Sequence, residues 1–174
     1  MNKKNYDLAV GLRHELHEHP EVSNNEVWTK KHLIEFLKKY TNLIIVDKGC
    51  WFYAIYKAKE GKKNIAFRAD FDAIPMDEYL DIPHGGFFPE TYNHAESADK
   101  VRKASKNKGY RIVELKEAKR SSEDFGYYTK LTKGAIFRIG NGEDYPDIHT
   151  NEFDFRDELI EIAVDLFKEI IETE

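Results

Sequence analysis

Seven histidines and one cysteine bound the metal and nucleophile chemistry open to this 174-residue chain. His14, His17 and His19 lie close together, and His14 and His17 share a face if their segment is helical. Imidazoles so spaced can ligate a divalent ion, but a metal site needs several donors per ion from His, Asp, Glu or Cys. The simpler reading of the trio is a helix surface and a helix end. His94 and Glu96 stand two apart beside a helix start, where local capping accounts for them. His84 falls in a stretch rich in Pro and Gly, and Cys50 precedes an aromatic run that points to a small core residue. Asp70 is the more pointed acid. It ends a predicted strand, the place where open α/β sheets bind ligands. Asp70 and Asp72 would equally cap the next turn, with Arg68 as an ion-pair partner. Ser122 reads as a helix N-cap, with Glu123 and Asp124 in a first turn that favours acids. Phosphate-binding glycine loops, a nucleophile elbow and paired CxxC motifs are absent.

The elements that would carry these residues follow from apolar spacing. Leu8, Leu12 and Leu16 recur every four residues and predict a first helix ending near Pro20. A second helix is expected over 26–40, with Leu33, Ile34, Phe36, Leu37 and Tyr40 on its apolar face. The period then changes: 43–46 and 51–58 read as two strands joined tightly through Asp47-Lys48-Gly49, and 64–72 as a third. Residues 76–92 lack periodicity and read as a loop or linker. A helix over 95–107 closed by Gly109, a strand over 111–115, a helix from Ser122 through Leu131 and a strand over 135–139 follow. The loop 140–151 leads to a closing helix over 155–171, with Leu159, Ile162, Ala163, Leu166 and Ile170 on one side. The alternation predicts an α/β fold, a mixed sheet with helices on both faces.

Composition sets the outer bounds. With 41% hydrophobic residues the chain has enough for one domain with a real core. Acids outnumber bases 32 to 27, a net charge of −5, which argues against nucleic acid or an anionic membrane as partner. A lone cysteine allows no internal disulfide, and the N-terminal residues hold no uninterrupted apolar stretch of the kind a signal or membrane span needs. The expected residence is cytoplasmic.

Four segments together carry a resemblance. They are RHELHEHPEVSNNEVWTKKHLIEFL (13–37), NIAFRADFDAIPMDE (64–78), TYNHAESADKVRKASK (91–106), and residues 121–142 with 147–155, which contain SSEDFGYY and DIHTNEFDF. In this order they resemble the metal-dependent amidohydrolase and peptidase family of aminoacylase, carboxypeptidase G and hippurate hydrolase, in its N-acyl-amino-acid branch. The resemblance implies a zinc-peptidase-like catalytic domain acting on N-acyl amino acids or peptides. A pair of divalent metals, zinc or manganese, would activate a water while a glutamate carries the proton. It places His149 as a metal ligand, Asp70 as the acid supporting the metal site, and Ser122 and Glu123 near the substrate carboxylate.

The pattern departs from the family in the middle. Its His-Ala-Cys-Gly-His-Asp segment, its Glu-Glu strand end, a further histidine and the inserted lid domain have no counterpart here; the chain passes from 81–84 through Gly85-Gly86 straight to the lid exit. The implied organisation is one truncated catalytic domain: an N-terminal portion over residues 1–82, a junction loop over 83–90 and a C-terminal portion over 91–174. With most ligands and the general base gone, the implied outcome is weak or no catalysis and a donor set too small for the metals. Two alternatives stand beside it, an active hydrolase with a rebuilt metal site and a non-catalytic module for small amino-acid derivatives. Loss of central strands would also expose sheet edges and favour self-association.

Overall fold

The computed structural model describes residues 1–59, 64–73, 88–119 and 123–173. Five helices and two strands lie among them: α1 (Lys3–His17), α2 (Val27–Tyr40), β1 (Ile44–Asp47), β2 (Phe52–Ile55), α3 (Ala95–Asn107), α4 (Phe125–Leu131) and α5 (Glu158–Glu172). The chain divides into two compact units. One holds residues 7–79 and 146–153, the other 1–6, 80–145 and 154–174. No helix among the described residues is long and apolar enough to cross a membrane.

α1 starts where the Asn2 side chain accepts the Asn5 amide at 2.8 Å, the N-cap bond that meets one of the orphan donors of a first turn. In the first unit, α2 follows and buries Thr29 and Ile34. It stops at Thr41, whose hydroxyl and amide both donate to the Leu37 carbonyl, at 2.6 and 2.9 Å. β1 and β2 then pair antiparallel, Ile44 opposite Ile55 and Asp47 opposite Phe52. Their reversal needs a residue at positive φ, and Gly49 supplies it at +88°. Asp47 accepts the Gly49 amide at 3.0 Å, and Lys30 from α2 reaches both Asp47, at 2.9 Å, and the Gly49 carbonyl. The Lys30 contact is the main reason the Asp47 carboxyl sits below its ordinary range.

The second unit is built on α3 and α5. Ala104 is fully buried against Leu166 and Ile170, and Val101, Tyr110, Phe137, Ile139, Ile162 and Phe167 pack around them. α3 ends in a Schellman motif. Lys108 is the cap, Gly109 takes φ +74°, the Gly109 amide donates to the Lys106 carbonyl at 3.0 Å and the Tyr110 amide to the Ser105 carbonyl at 2.9 Å. Asn107 and Lys108 then bind Glu169 of α5 at 2.7 and 3.3 Å.

The expected mixed sheet is a point of correction. Among the described residues, pairing is confined to β1–β2 and to one parallel bridge, Val22 to Ala73. The segments 64–72, 111–115 and 135–139 form no ladder. Apolar alternation is a local property, whereas a strand exists only through the hydrogen bonds of a neighbour. Residues 135–139 keep the alternation, turning Ala135, Phe137 and Ile139 inward and leaving Ile136 and Arg138 exposed. Their neighbour is a side chain: Asn93 donates its amide to the Ile136 carbonyl at 2.8 Å and accepts the Ile136 amide at 2.9 Å. Segment 111–115 is tied to α3 by charge, with Glu114 on Arg102 at 2.6 and 3.3 Å, and that contact holds the Glu114 carboxyl below its ordinary range.

Two further expectations need revision. Cys50 is exposed, since it lies in the β1–β2 turn beside a Trp51 that is itself 51% exposed. α4 begins at Phe125 after Asp124, whose side chain makes no capping bond. The expected cap Ser122 and most of the junction 83–90, with His84, Gly85 and Gly86, lie outside the described residues.

Candidate functional site

In the first unit, a single acid organises the elements that lead to Asp70. Glu21 accepts the Trp28 amide at 3.1 Å and the Thr29 amide at 2.7 Å, one on each carboxylate oxygen. It thereby caps α2 from outside the helix, in place of Glu26, which makes no capping bond. A carboxylate at a helix start meets unsatisfied N–H groups and the positive end of the dipole together. The Thr29 amide bond is the first cause that lowers the Glu21 carboxyl below its usual range; partial burial opposes it. The Glu21 carbonyl also accepts the Ala73 amide at 2.7 Å, next to the Val22–Ala73 bridge. Residue 21 therefore joins the opening helices to the end of the Arg68-Ala69-Asp70 segment.

This arrangement predicts an acid-dependent loss. The folded Glu21 carboxyl sits low, so its contribution is complete above the ordinary carboxylate range and disappears as pH falls through the folded value. Glu21→Ala should lower the thermal midpoint by a few degrees at neutral pH and flatten the acid limb of the stability curve. An unchanged acid limb in the variant would remove this role.

Asp70 itself is committed to Arg68. Both of its carboxylate oxygens lie 3.0 Å from one guanidinium nitrogen, and its side chain is 66% exposed. His149 lies in the same unit, in the exposed loop 146–153, at φ +68°. Its neighbours close the turn, the Thr150 hydroxyl donating to the Asp147 carbonyl at 2.7 Å and the Phe153 amide to the Thr150 carbonyl at 3.2 Å. Glu123 is in the other unit, where its side chain accepts the Phe125 amide at 3.3 Å and its carbonyl accepts the Thr91 hydroxyl at 3.4 Å. That is work at a helix start.

The histidine trio does not converge. His19 donates from Nδ1 to the Glu15 carbonyl at 2.9 Å and stacks on Trp28 at 4.1 Å. On the other side of the indole, His32 stacks at 4.6 Å and 9° and meets the Glu15 carboxylate at 2.6 Å. Trp28 is thus held between two imidazoles, and α1 is clamped to α2. Spacing within residues 13–20 could not reveal this, because two of the partners come from α2. His94 departs from the capping role as well. It makes no side-chain cap; its Nδ1 accepts the Gly134 amide at 3.3 Å, while Glu96 pairs with Lys133.

A hydrolytic metal pair asks for more donors than these residues bring together. Among the described residues no three His, Cys, Asp or Glu side chains gather where one ion could be held. They do not fit such a centre, and no hydrolytic step follows from them.

Relatives share segments of this chain. It is 36% identical over 84 residues to the N-acetylcysteine deacetylase of Bacillus subtilis, a match covering 47% of this chain and 22% of that protein. It is 31% identical over 74 residues to the hippurate hydrolase of Campylobacter jejuni, covering 42% and 19%. It is 33% identical over 78 residues to the thermostable carboxypeptidase 2 of Saccharolobus solfataricus, covering 44% and 20%. The matches thus span about a fifth of each relative. No family model matches the chain, and no solved structure does.

Proposed function

We propose that this chain is a derivative of an N-acyl-amino-acid amidohydrolase that keeps the framing segments and has weak or no catalysis of its own. The observation that carries the reading is the contrast at Asp70. Glu21 and Val22 bring the opening segment to the end of the Arg68–Asp70 segment, while no cluster of metal donors accompanies them among the described residues. The names of the partial relatives, a deacetylase, a hydrolase and a carboxypeptidase, support the substrate class, small N-acyl amino acids or peptides. In this reading the chain is one truncated catalytic domain whose lid and central strands are missing. His149 is a remnant of the ligand set for zinc or manganese, Asp70 of its supporting acid, and Ser122 and Glu123 of the substrate loop. The chain acts in the cytoplasm, away from nucleic acid and membranes, and its copies associate through sheet edges left open.

The test is metal content together with turnover. Chain loaded with zinc or manganese and dialysed should retain far less than the roughly two ions per chain of a dinuclear hydrolase. It should release acid from N-acetylcysteine or hippurate slowly or not at all. Two retained ions with turnover would replace this reading with a rebuilt active site. Calorimetric binding of an N-acyl amino acid without turnover would replace it with a recognition module.

A further inference from the structure

We propose that Asn141-Gly142 is a site of spontaneous covalent modification, at which the asparagine amide is lost to the backbone nitrogen of the following glycine. Three features of the loop before α5 carry this. Both polar atoms of the Asn141 side chain are buried with no hydrogen-bond partner. A hydrogen-bonded amide would have to break its bonds to reach the backbone; this one has none to break, and an unsatisfied buried amide already carries a cost. The next residue is glycine at φ +113°, so no Cβ stands beside the attacking nitrogen. The Gly142 amide makes no hydrogen bond among the described residues, which leaves the nucleophile uncommitted. The chain has several other asparagines, but 141 is the only one followed by glycine.

The chemistry balances without a cofactor. The Gly142 nitrogen loses its proton to solvent base and forms a bond to Cγ of Asn141. The carbon–nitrogen bond of the side-chain amide breaks, and the nitrogen leaves as ammonia after taking up a proton. The five-membered imide then adds water. Opening at one carbonyl gives aspartate, and opening at the other gives isoaspartate, in which the backbone runs through the former side chain. No electrons change hands.

The site is placed to matter for α5. Arg156, just before that helix, donates to the Asn141 carbonyl at 3.2 Å, binds Glu158 at 2.7 Å and lies 5.8 Å from the Tyr145 ring. The Glu158 contact raises the guanidinium further above its already high ordinary value. In the isoaspartyl product the backbone runs one carbon longer through the former side chain, and the Asn141 carbonyl that Arg156 holds becomes part of the free carboxylate. A new carboxylate there joins Glu143 and Asp144 and competes with Glu158 for Arg156.

The experiment is peptide mapping by mass spectrometry of full-length chain held at physiological temperature and slightly alkaline pH, with isoaspartyl-specific methylation as a second readout. Asn141 should convert at least about tenfold faster than any other asparagine of the folded chain, because only glycine leaves the approach unhindered. Gly142→Ala should slow conversion by about tenfold, and Asn141→Gln should abolish it. The same map of the guanidinium-unfolded chain keeps the test decisive if a variant fails to fold. Conversion of the native chain at a rate close to the unfolded one supports the proposal. Native conversion far slower than unfolded, or equal conversion at other asparagines, overturns it.

Discussion

Leu166→Ala should be the most damaging single truncation among the described residues, costing about 2–5 kcal/mol. Leu166 is 5% exposed and touches the centre of the α3–α5 packing, where Ala104 is 0% exposed and cannot expand to fill a void. The cost has two parts, the transfer free energy of the lost methyl-bearing carbons and the cavity they leave. A core with few buried residues has little redundancy to absorb either. Denaturant unfolding with an unchanged slope would show the loss as a shifted midpoint. Leu131→Ala is the matched control. Leu131 is 88% exposed, so the same chemical change there should stay within about 0.5 kcal/mol.

The second large effect is a substitution whose sign depends on place. Gly126→Ala should destabilise by about 1–3 kcal/mol, because a Cβ at 126 would sit 2.5 Å from the Pro89 carbonyl oxygen and 2.8 Å from that of Glu90. Both obstacles are backbone and cannot swing aside like a side-chain tip. Alanine is a better helix residue than glycine by roughly 0.5–1 kcal/mol, which is too little to offset a clash of this kind. Gly11→Ala removes the clash and keeps the propensity. Nothing lies within 4 Å of a Cβ at 11, and the residue is inside α1, so a gain of roughly 0.5–1 kcal/mol is expected. Thermal unfolding of the two variants side by side decides the matter; shifts of the same sign would refute the close approach of 89–90 to α4.

Those two sites also show what the sequence could and could not disclose. α3 runs over the residues its spacing predicts, and Gly109 closes it, because an amphipathic period and a positive-φ glycine are both local signals. The β1–β2 reversal is legible for the same reason. The need for glycine at 126 was not, since it arises from a chain segment more than thirty residues earlier. Glu21 is a similar case. Its capping bonds reach seven and eight residues ahead, and its bond to Ala73 joins residues 52 positions apart. Strand expectations for 64–72, 111–115 and 135–139 failed at the step from alternation to pairing, which depends on who lies alongside. For the candidate site, only local pairings were legible. Asp70 with Arg68 was anticipated; the indole between His19 and His32 was not, because it takes two helices to assemble.

The bond between Asn107 and Glu169 has a consequence for the order of folding. It joins residues 62 positions apart, whereas the β1–β2 ribbon closes a turn of four. Closing a loop costs entropy that grows with its length, and contacts between distant residues are the slow ones to form. The ribbon and the α1–α2 clamp can therefore assemble early from neighbouring residues. The α3–α5 core must wait until the last helix has arrived, so a chain interrupted before residue 158 leaves the apolar side of α3 without its cover. During synthesis that interval leaves this apolar side open to proteases and to unwanted association.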